Sequence, residues 1–509
     1  MLIFTLSSEP EYMPRTAKVV DVPAIGELDR LAGQLSHQLA QALRQAIHRG
    51  DLKAGDLLPS TRRLSAALNL ARGTVLEAFA QLTAEGFLEP QPGSGTRVAH
   101  YQAPRRTPHA NVQASSAVAV PLSSQAQHLA RFAAQARALP PVPFTVSVPI
   151  GDTAPDDIWR RLGNRIRARG PGAPSGYGDP LGALPLREAI CDYVRRSRSV
   201  NCTPQQILIT SGTQQGLYLA AQILLDAGDS AWVEDPAYAG ITAIFDSLFR
   251  DRHMIRVPVA DDGIDVAAGV RLAADARAAF VTPSHQYPLG MPMSMAKRSA
   301  LLAWAKERQA WIVEDDYDSE MRYAGHPFPS LQGLAPERTL YLGTFSKVLF
   351  PSLRLGYAIV PPPLVDAFCG ARILMDRHPP SADQHVLAAF IAEGYLDRHI
   401  RKMRGVYAEK RRVLIEAINT HIPAELAVVQ PCDQGMHMVL WLRKDLDDVR
   451  VAQCANEAGL ALRAVSPMYA PGHGEPGLVL GLGGYADRQV QQAVERLGQV
   501  ILACAGSGA

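Results

Sequence analysis

The sequence predicts a multidomain fold: a small N-terminal α+β module, then an α/β body that ends in a smaller α+β subdomain. Three observations carry this expectation. Apolar residues recur at helical spacing up to Leu82, and a Gly-rich run follows them. From Thr145 onward, β-rich apolar runs alternate with helical ones. Between the two regions, from Glu89 to Asp152, no acidic residue occurs. The 509 residues fit about three domains at ~150 residues each.

Composition narrows the function classes. Lys+Arg 51 against Asp+Glu 49 leaves a net charge of +2, which excludes a bulk polyelectrolyte. Apolar residues make up 47% and charged residues 20%, values that go with a large core. No apolar run reaches the ~18 residues of a membrane span. The start MLIFTLSSEPEYMPR meets Ser, Glu and Pro too early for a signal peptide, and Met13 precedes a more ordinary beginning. Cys191, Cys202, Cys369, Cys432, Cys454 and Cys504 are scattered, with no CxxC pair. Neither a disulfide framework nor a zinc site is expected, and a reducing cytoplasm is.

The N-terminal module, placed at 24–100 after an extension over 1–23, reads element by element. Leu31, Leu35, Leu39, Leu43 and Ile47 form one apolar helix face that ends near Gly50. After the turn DLKAGDLLP, Ser60 is positioned to cap a short helix with Leu64 and Leu68 inward. A third helix carries Val75, Phe79 and Leu82 and stops at Gly86. FLEPQPGSGTRV then gives two short strands around a Gly-rich tip. This order is that of a winged helix-turn-helix. From Ser60 to Thr74 the only charges are Arg62, Arg63 and Arg72, on the turn and the start of the third helix, where a recognition helix meets the major groove.

Residues 101–143 read as a linker rich in Ala, Ser, Gln and Pro, with one short helix near Ser124–Ala138. Arg97, Arg105, Arg106, Arg131 and Arg137 give the acid-free stretch a single sign. It is either a solvated tether or a second contact with nucleic-acid phosphates.

The body is placed at 144–505. QILITSG, SAWVED, AAFVTP, AWIVED, TLYLGT and RLGYAIVP read as buried strands of a mostly parallel sheet covered on both faces. Ligands bind beyond the carboxyl ends of such strands. Gly212, Thr213 and Gln214 follow one strand and open a helix, where free amides and a hydroxyl suit a phosphate. Thr344 and Ser346 add donors, and Arg354 adds a guanidinium fork. Lys347 lies just past a strand, where an amine shielded from water can form a Schiff base. Asp315 can hold a pyridine nitrogen, Tyr317 offers a phenol to a ring oxygen, and Tyr238 can stack on a ring. Together they describe a site for pyridoxal 5′-phosphate (PLP).

Two resemblances sharpen this reading. LPSTRRLSAALNLARGTVLEAFAQLTAEGFLEPQPGSGTRV resembles the GntR-type DNA-binding domain over its full length. The resemblance implies that Arg62 and Arg72 contact DNA, Ser60 and Thr74 contact phosphates, and Gly93 at the wing tip approaches the backbone. Ala71 departs from that pattern, which has Ser or Thr there, so a weaker start to the recognition helix is expected. SGTQQ, VEDPAY, TPSHQYPLG, VEDDYDSE and GTFSKVLFPSLRLGY resemble, in order, the fold-type I PLP-dependent aminotransferases. That resemblance implies Lys347 as the Schiff-base lysine, Asp315 on the pyridine nitrogen, Tyr317 on the phenolic oxygen and Tyr238 stacking. It also implies that Tyr177 reaches the phosphate of the partner subunit.

The combination resembles the MocR (GabR-like) transcriptional regulators across nearly the whole chain. It implies a PLP-dependent regulator in which a small amine or amino acid is the effector, double-stranded DNA the partner and a head-to-tail homodimer the assembly. PLP itself is a second possible signal. Two departures from working aminotransferases stand out. Tyr287 replaces the usual Asn before Pro-x-Gly, and LVLGLGGY lacks the late carboxylate-binding Arg. Arg463 is the nearest replacement for the latter, and His285 and His437 are further pocket candidates. A true aminotransferase with a tethered DNA-binding module, and a DNA-binding protein whose body is only a scaffold, are the competing readings.

Overall fold

The computed structural model of the chain describes residues 21, 25–26, 28–100, 121–135, 140–146, 154–168, 176–325 and 328–506. They fall into two units, Met1–Val120 and Pro121–Ala509.

In the first unit the apolar spacing becomes the buried stripe of α1 (Leu35–Arg49), with Leu39, Ala40, Leu43 and Ala46 inward. The helix begins later than the pattern suggests. Gly33 and Gln34 take positive φ (70° and 51°), and the Asp29 carboxylate accepts from the amides of Leu31 and Ala32. A local turn thus outcompetes a further helical turn, and Leu31 is 99% exposed instead of joining the core. Gly50 (φ 83°) closes the helix in the left-handed region. Ser60 caps α2 (Thr61–Leu68), its hydroxyl accepting from the Arg63 amide at 3.3 Å. Helix α3 (Arg72–Ala84) buries Val75, Ala78, Phe79 and Leu82. The segment expected as a plain turn contributes strand β1 (Leu57–Leu58), and the wing is β2 (Leu88–Gln91) and β3 (Gly95–Val98). They pair antiparallel in the order β1-β3-β2. One cluster, from Leu39 and Leu43 through Leu64 and Phe79 to Leu88 and Val98, holds the unit together.

The second unit is built on eight strands. In chain order they are β4 (Ile207–Thr210), β5 (Ser230–Asp235), β6 (His253–Ala260), β7 (Gly263–Ile264), β8 (Ala278–Val281), β9 (Trp311–Asp316), β10 (Thr339–Thr344) and β11 (Gly356–Ile359). The spatial order is β4-β11-β10-β9-β8-β5-β6-β7. From β6 through β10 the neighbours run parallel. Strand β11 runs against both β10 and β4, and β7 folds back on β6. Alternate residues enter opposite cores: Ile207, Ile209 and Tyr341 one, Leu208, Leu340 and Leu342 the other. Each such aliphatic side chain contributes about 1.5–3 kcal/mol on burial, which is why these strands read as continuous apolar runs.

Five helices lie along the chain before and between the first of these strands: α4 (Ser124–Gln135), α5 (Asp156–Ala168), α6 (Leu184–Arg198), α7 (Thr213–Leu224) and α8 (Ala239–Ser247). Helix α4 is the expected linker helix, and α7 and α8 follow β4 and β5. A smaller antiparallel sheet of β12 (Ala427–Val429), β13 (His437–Leu442), β14 (Arg463–Ala464) and β15 (Gly477–Gly481) has the order β12-β13-β15-β14. Helices Tyr395–His421 and Asp487–Gly506 pack with it as the α+β subdomain. Among the described residues, no helix is long and apolar enough to cross a membrane.

Candidate functional site

The parallel strands of the large sheet end along one edge, and the loops there carry most of the predicted body residues. Gly212, Thr213 and Gln214 follow β4, and Tyr238 follows β5. Asp315 and Tyr317 sit at the end of β9, Thr344, Ser346 and Lys347 at the end of β10, and Arg354 just ahead of the reversed β11.

The first group forms an anion cup. Gly212 begins α7 at φ 87°, and a Cβ there would lie 3.4 Å from the Arg354 guanidinium. Arg354, itself at φ 50°, donates to the Ser211 carbonyl. The Ser346 amide donates to Thr344 Oγ1 at 3.2 Å. Ser346 Oγ and Gln214 Oε1 are buried with no hydrogen-bond partner. A helix N-terminus, a guanidinium and a free hydroxyl therefore converge where an anion fits.

The second group is the reactive pair. Burial lowers the Lys347 amine to about 8; Asp318 and Asp315 oppose the shift, and Arg354 and Arg463 add to it. Burial raises the Asp315 carboxyl to about 7, helped by the Asp316 charge and opposed by Thr213 and Lys347. Its Oδ1 has no partner. Asp316 is held from behind by Arg198 Nε at 2.8 Å and the Tyr341 hydroxyl at 2.5 Å.

Aromatic rings enclose this pair. Tyr238 precedes α8 and meets the Tyr287 ring edge-on at 5.8 Å. Tyr287 in turn lies 6.1 Å from Tyr317 and 5.2 Å from His437, and burial pushes its phenol up to about 12. The residue replacing the usual Asn thus lines the pocket with a ring. His285 and His437 both belong here, their rings 4.9 Å apart. His437 Nε2 is 3.0 Å from the Pro288 carbonyl, and burial lowers its imidazole to about 4. His285 Nδ1 is 2.9 Å from both oxygens of Asp318. Asp318 was not singled out from the sequence, although EDDYDSE contains it. Arg463 opens β14 and is exposed, and among the described residues no carboxylate pairs with it. Its charge is felt by Tyr238, Tyr287 and Lys347. Tyr177 stands apart, 77% exposed, with the Arg377 guanidinium 4.4 Å from its ring.

In the N-terminal unit Arg62 and Arg72 are exposed, and no carboxylate among the described residues pairs with either. Arg63 donates to Asp21 at 2.7 Å. Thr74 lies in the first turn of α3, whose N-cap Ala71 supplies no side-chain bond. Gly93 (φ 78°) is at the exposed wing tip, and Arg97 donates to Gln91 Oε1 at 3.0 Å. Of the linker arginines, Arg131 lies on α4, and Arg105, Arg106 and Arg137 lie outside the described residues.

Fold and pocket together define a class: a DNA-binding winged helix joined to a transferase-type α/β domain. Residues 35–98 match the gntR family of bacterial regulatory proteins, and residues 151–497 match aminotransferase class I and II. Over 487 residues, 95% of this chain and 97% of the other, the sequence is 37% identical to the probable rhizopine catabolism regulatory protein MocR of Rhizobium meliloti. It is 32% identical to the HTH-type pyridoxine biosynthesis transcriptional regulator PdxR of Corynebacterium glutamicum, covering 91% of this chain and 95% of that one. Among solved structures, the α-aminoadipate aminotransferase LysN of Thermus thermophilus, complexed with N-(5′-phosphopyridoxyl)-L-leucine, overlays with a TM-score of 0.66 at 26% identity. That match covers 75% of this chain and 96% of LysN. The chain belongs to the MocR-type family of DNA-binding transcriptional regulators, with a GntR-type winged helix and an aminotransferase-like domain. The fold of that second domain is a PLP-dependent one.

Proposed function

We propose that the aminotransferase-like domain, over 144–505, binds PLP and senses a small amine or amino acid. The winged helix over 24–100 reads a double-stranded DNA operator, and the linker over 101–143 joins the two. Lys347 is the covalent anchor, Asp315 meets the pyridine nitrogen, Tyr317 the phenolic oxygen and Tyr238 the ring face. Gly212, Thr213, Gln214, Thr344, Ser346 and Arg354 hold the phosphate, and Arg463 takes a carboxylate of the effector. Bound there, PLP supplies an aldehyde for which Lys347 and an effector amine compete. In a head-to-tail homodimer, Tyr177 reaches the phosphate of the partner subunit. Ser60, Arg62, Arg72, Thr74 and Gly93 face the DNA.

The observation that carries the reading is the pair of buried, unpartnered atoms Asp315 Oδ1 and Ser346 Oγ in the surroundings of Lys347. A buried polar atom without a partner costs about 1–3 kcal/mol, so a ligand with a ring nitrogen at one end and a phosphate at the other is favoured. An effector acts on DNA binding only through its different affinity for two states of the protein.

The test is a visible absorption titration with PLP and then with a panel of amines and amino acids, in parallel with operator affinity. A Lys347-dependent band that one amine shifts and holds, with a change in operator affinity, is the expected result. A change on PLP alone makes PLP the signal, in line with a relative named for pyridoxine biosynthesis. The second reading is a working aminotransferase, favoured by the presence of Lys347, Asp315 and Tyr317 together. Accumulation of a keto product would establish it. No band, with Lys347→Ala regulating like the wild type, would leave the body as a scaffold.

A further inference from the structure

A buried ion pair stands behind Tyr317, and the PLP site as described gives it no task. His285 and Asp318 are each 2% exposed. His285 Nδ1 is 2.9 Å from Asp318 Oδ1 and from Oδ2, and 3.1 Å from the Tyr317 hydroxyl. Asp318 Oδ2 also accepts from the Met436 amide at 3.3 Å. Gly435, at φ 82°, packs so closely that a Cβ there would lie 1.8 Å from His285 Cε1, so the ring is wedged in one orientation. On the far side of the ring, Cys432 Sγ is 3.8 Å from Nε2, and His437 faces the imidazole. Burial disfavours a charged ring, but the Asp318 carboxylate outweighs it and, with Cys432, lifts the imidazole to about 10. His437 stays neutral beside that charge.

An ionised carboxylate only accepts, so the His285 imidazole, its Nδ1 2.9 Å from both Asp318 oxygens, carries a proton there. Its Nδ1–H is shared between the Asp318 carboxylate and the Tyr317 oxygen. The phenol therefore accepts from behind, and its own proton has no acceptor on His285 and is left to point into the pocket. We propose that the Asp318–His285 pair is a positioning device that fixes Tyr317 as a hydrogen-bond donor to the ring oxygen of PLP. It supplies through Tyr317 the polarisation that an Asn at the position of Tyr287 would give directly. The proposal rests on the PLP reading of the same pocket.

The test is a pH titration of the visible band of the PLP-loaded protein. A donor on the ring oxygen weakens that oxygen's hold on the proton it shares with the lysine nitrogen, so losing the donor raises the midpoint. His285→Gln is expected to raise it by about one pH unit, a tenfold change in the protonation equilibrium, and Asp318→Asn to move it the same way. In a Tyr317→Phe background neither change should move it by more than about 0.3 unit. Equal shifts in both backgrounds, or none in either, overturn the proposal. Absence of any Lys347-dependent band overturns the PLP reading instead. Should both substitutions prevent folding, nitrogen NMR of the unsubstituted, ¹⁵N-histidine-labelled protein decides. Protonation of both His285 nitrogens at about pH 8, assigned by proximity to Tyr317, is expected. A bare Nδ1 overturns the proposal, because Tyr317 would then donate to it.

Discussion

Helix α3 begins on Ala71, whose methyl group offers nothing to the free amides of its first turn. Ala71→Ser restores an acceptor at a backbone already extended for capping (φ −63°, ψ 140°), and should stabilise the N-terminal unit by about 0.5–2 kcal/mol. Thermal unfolding of the full chain reads this directly, and an unchanged or lower transition would show that the cap does not form. Arg62→Ala and Arg72→Ala should each weaken operator binding and reduce the slope of log affinity against log salt by about one. A slope unchanged in both would remove these side chains from the DNA face. At this scale the sequence was informative wherever a residue's role depends on its near neighbours. Ser60 is legible as a cap from the helix it precedes, and the places of Gly212, Asp315 and Lys347 at the carboxyl ends of strands are legible from the apolar runs beside them. Asp318 was not, because its meaning comes from His285, 33 residues away. Leu31 was misplaced because the Asp29 turn is a competition between two local hydrogen-bond patterns, and apolar spacing carries no record of it.

Helix α4 is an element that composition places in a linker and that packing ties to the body. Its Leu129 and Phe132, with Tyr218, Ile244, Leu248 and Met375, line a cavity of about 400 Å³. Ser211, Gln214 and Arg354, from the anion cup, line the same cavity. Helix α4 thus rests on α8, which begins immediately after Tyr238. Phe132→Asp should release α4 from α8, seen as faster proteolysis within 121–135 while the visible PLP band persists. Cleavage as slow as in the wild type would mean that the apolar contact does not hold the helix. The six strands of the large sheet that the sequence shows are buried along nearly their whole length, where continuous apolar runs are unambiguous. Four of the missed strands have physical reasons to be silent. Strands β1, β7 and β14 have two residues each, too few to show a period. Strand β6 is only partly buried and mixes His, Arg and Pro with its apolar residues. Nor does apolar alternation encode direction, so the reversal of β11 had no signature.

On the scale of the whole molecule, two units with separate cores should respond separately to pH and to cofactor. Burial raises the carboxyls of Glu234, Glu314, Asp315 and Glu320 to about 7 and lifts Asp246 as well. A raised carboxyl keeps a proton in the folded state that the unfolded chain has released. Its contribution is complete below the unfolded value and is lost as the pH rises through the folded one. Three body histidines act in the opposite sense: burial lowers His437 to about 4 and lowers His399 and His128, so each gains stability as the pH climbs toward 6.5. His285, lifted to about 10 beside Asp318, acts with the carboxyls. Five carboxyls and one imidazole against three imidazoles leave a net loss. The body's unfolding transition in the PLP-free protein should therefore fall between about pH 5 and pH 7.5. The winged helix has no raised buried carboxyl among its described residues, and its own transition should stay nearly level. Calorimetry at the two pH values separates these outcomes, and a body transition that rises with pH would contradict the assignment of these carboxyls. Saturating PLP, at 100 times its dissociation constant, should stabilise the body alone by about 2.7 kcal/mol. It should also flatten the slope, because a ring nitrogen that takes up the proton leaves Asp315 charged at both pH values. A PLP-induced gain of the same size at both would show that the Asp315 carboxyl does not engage the ring.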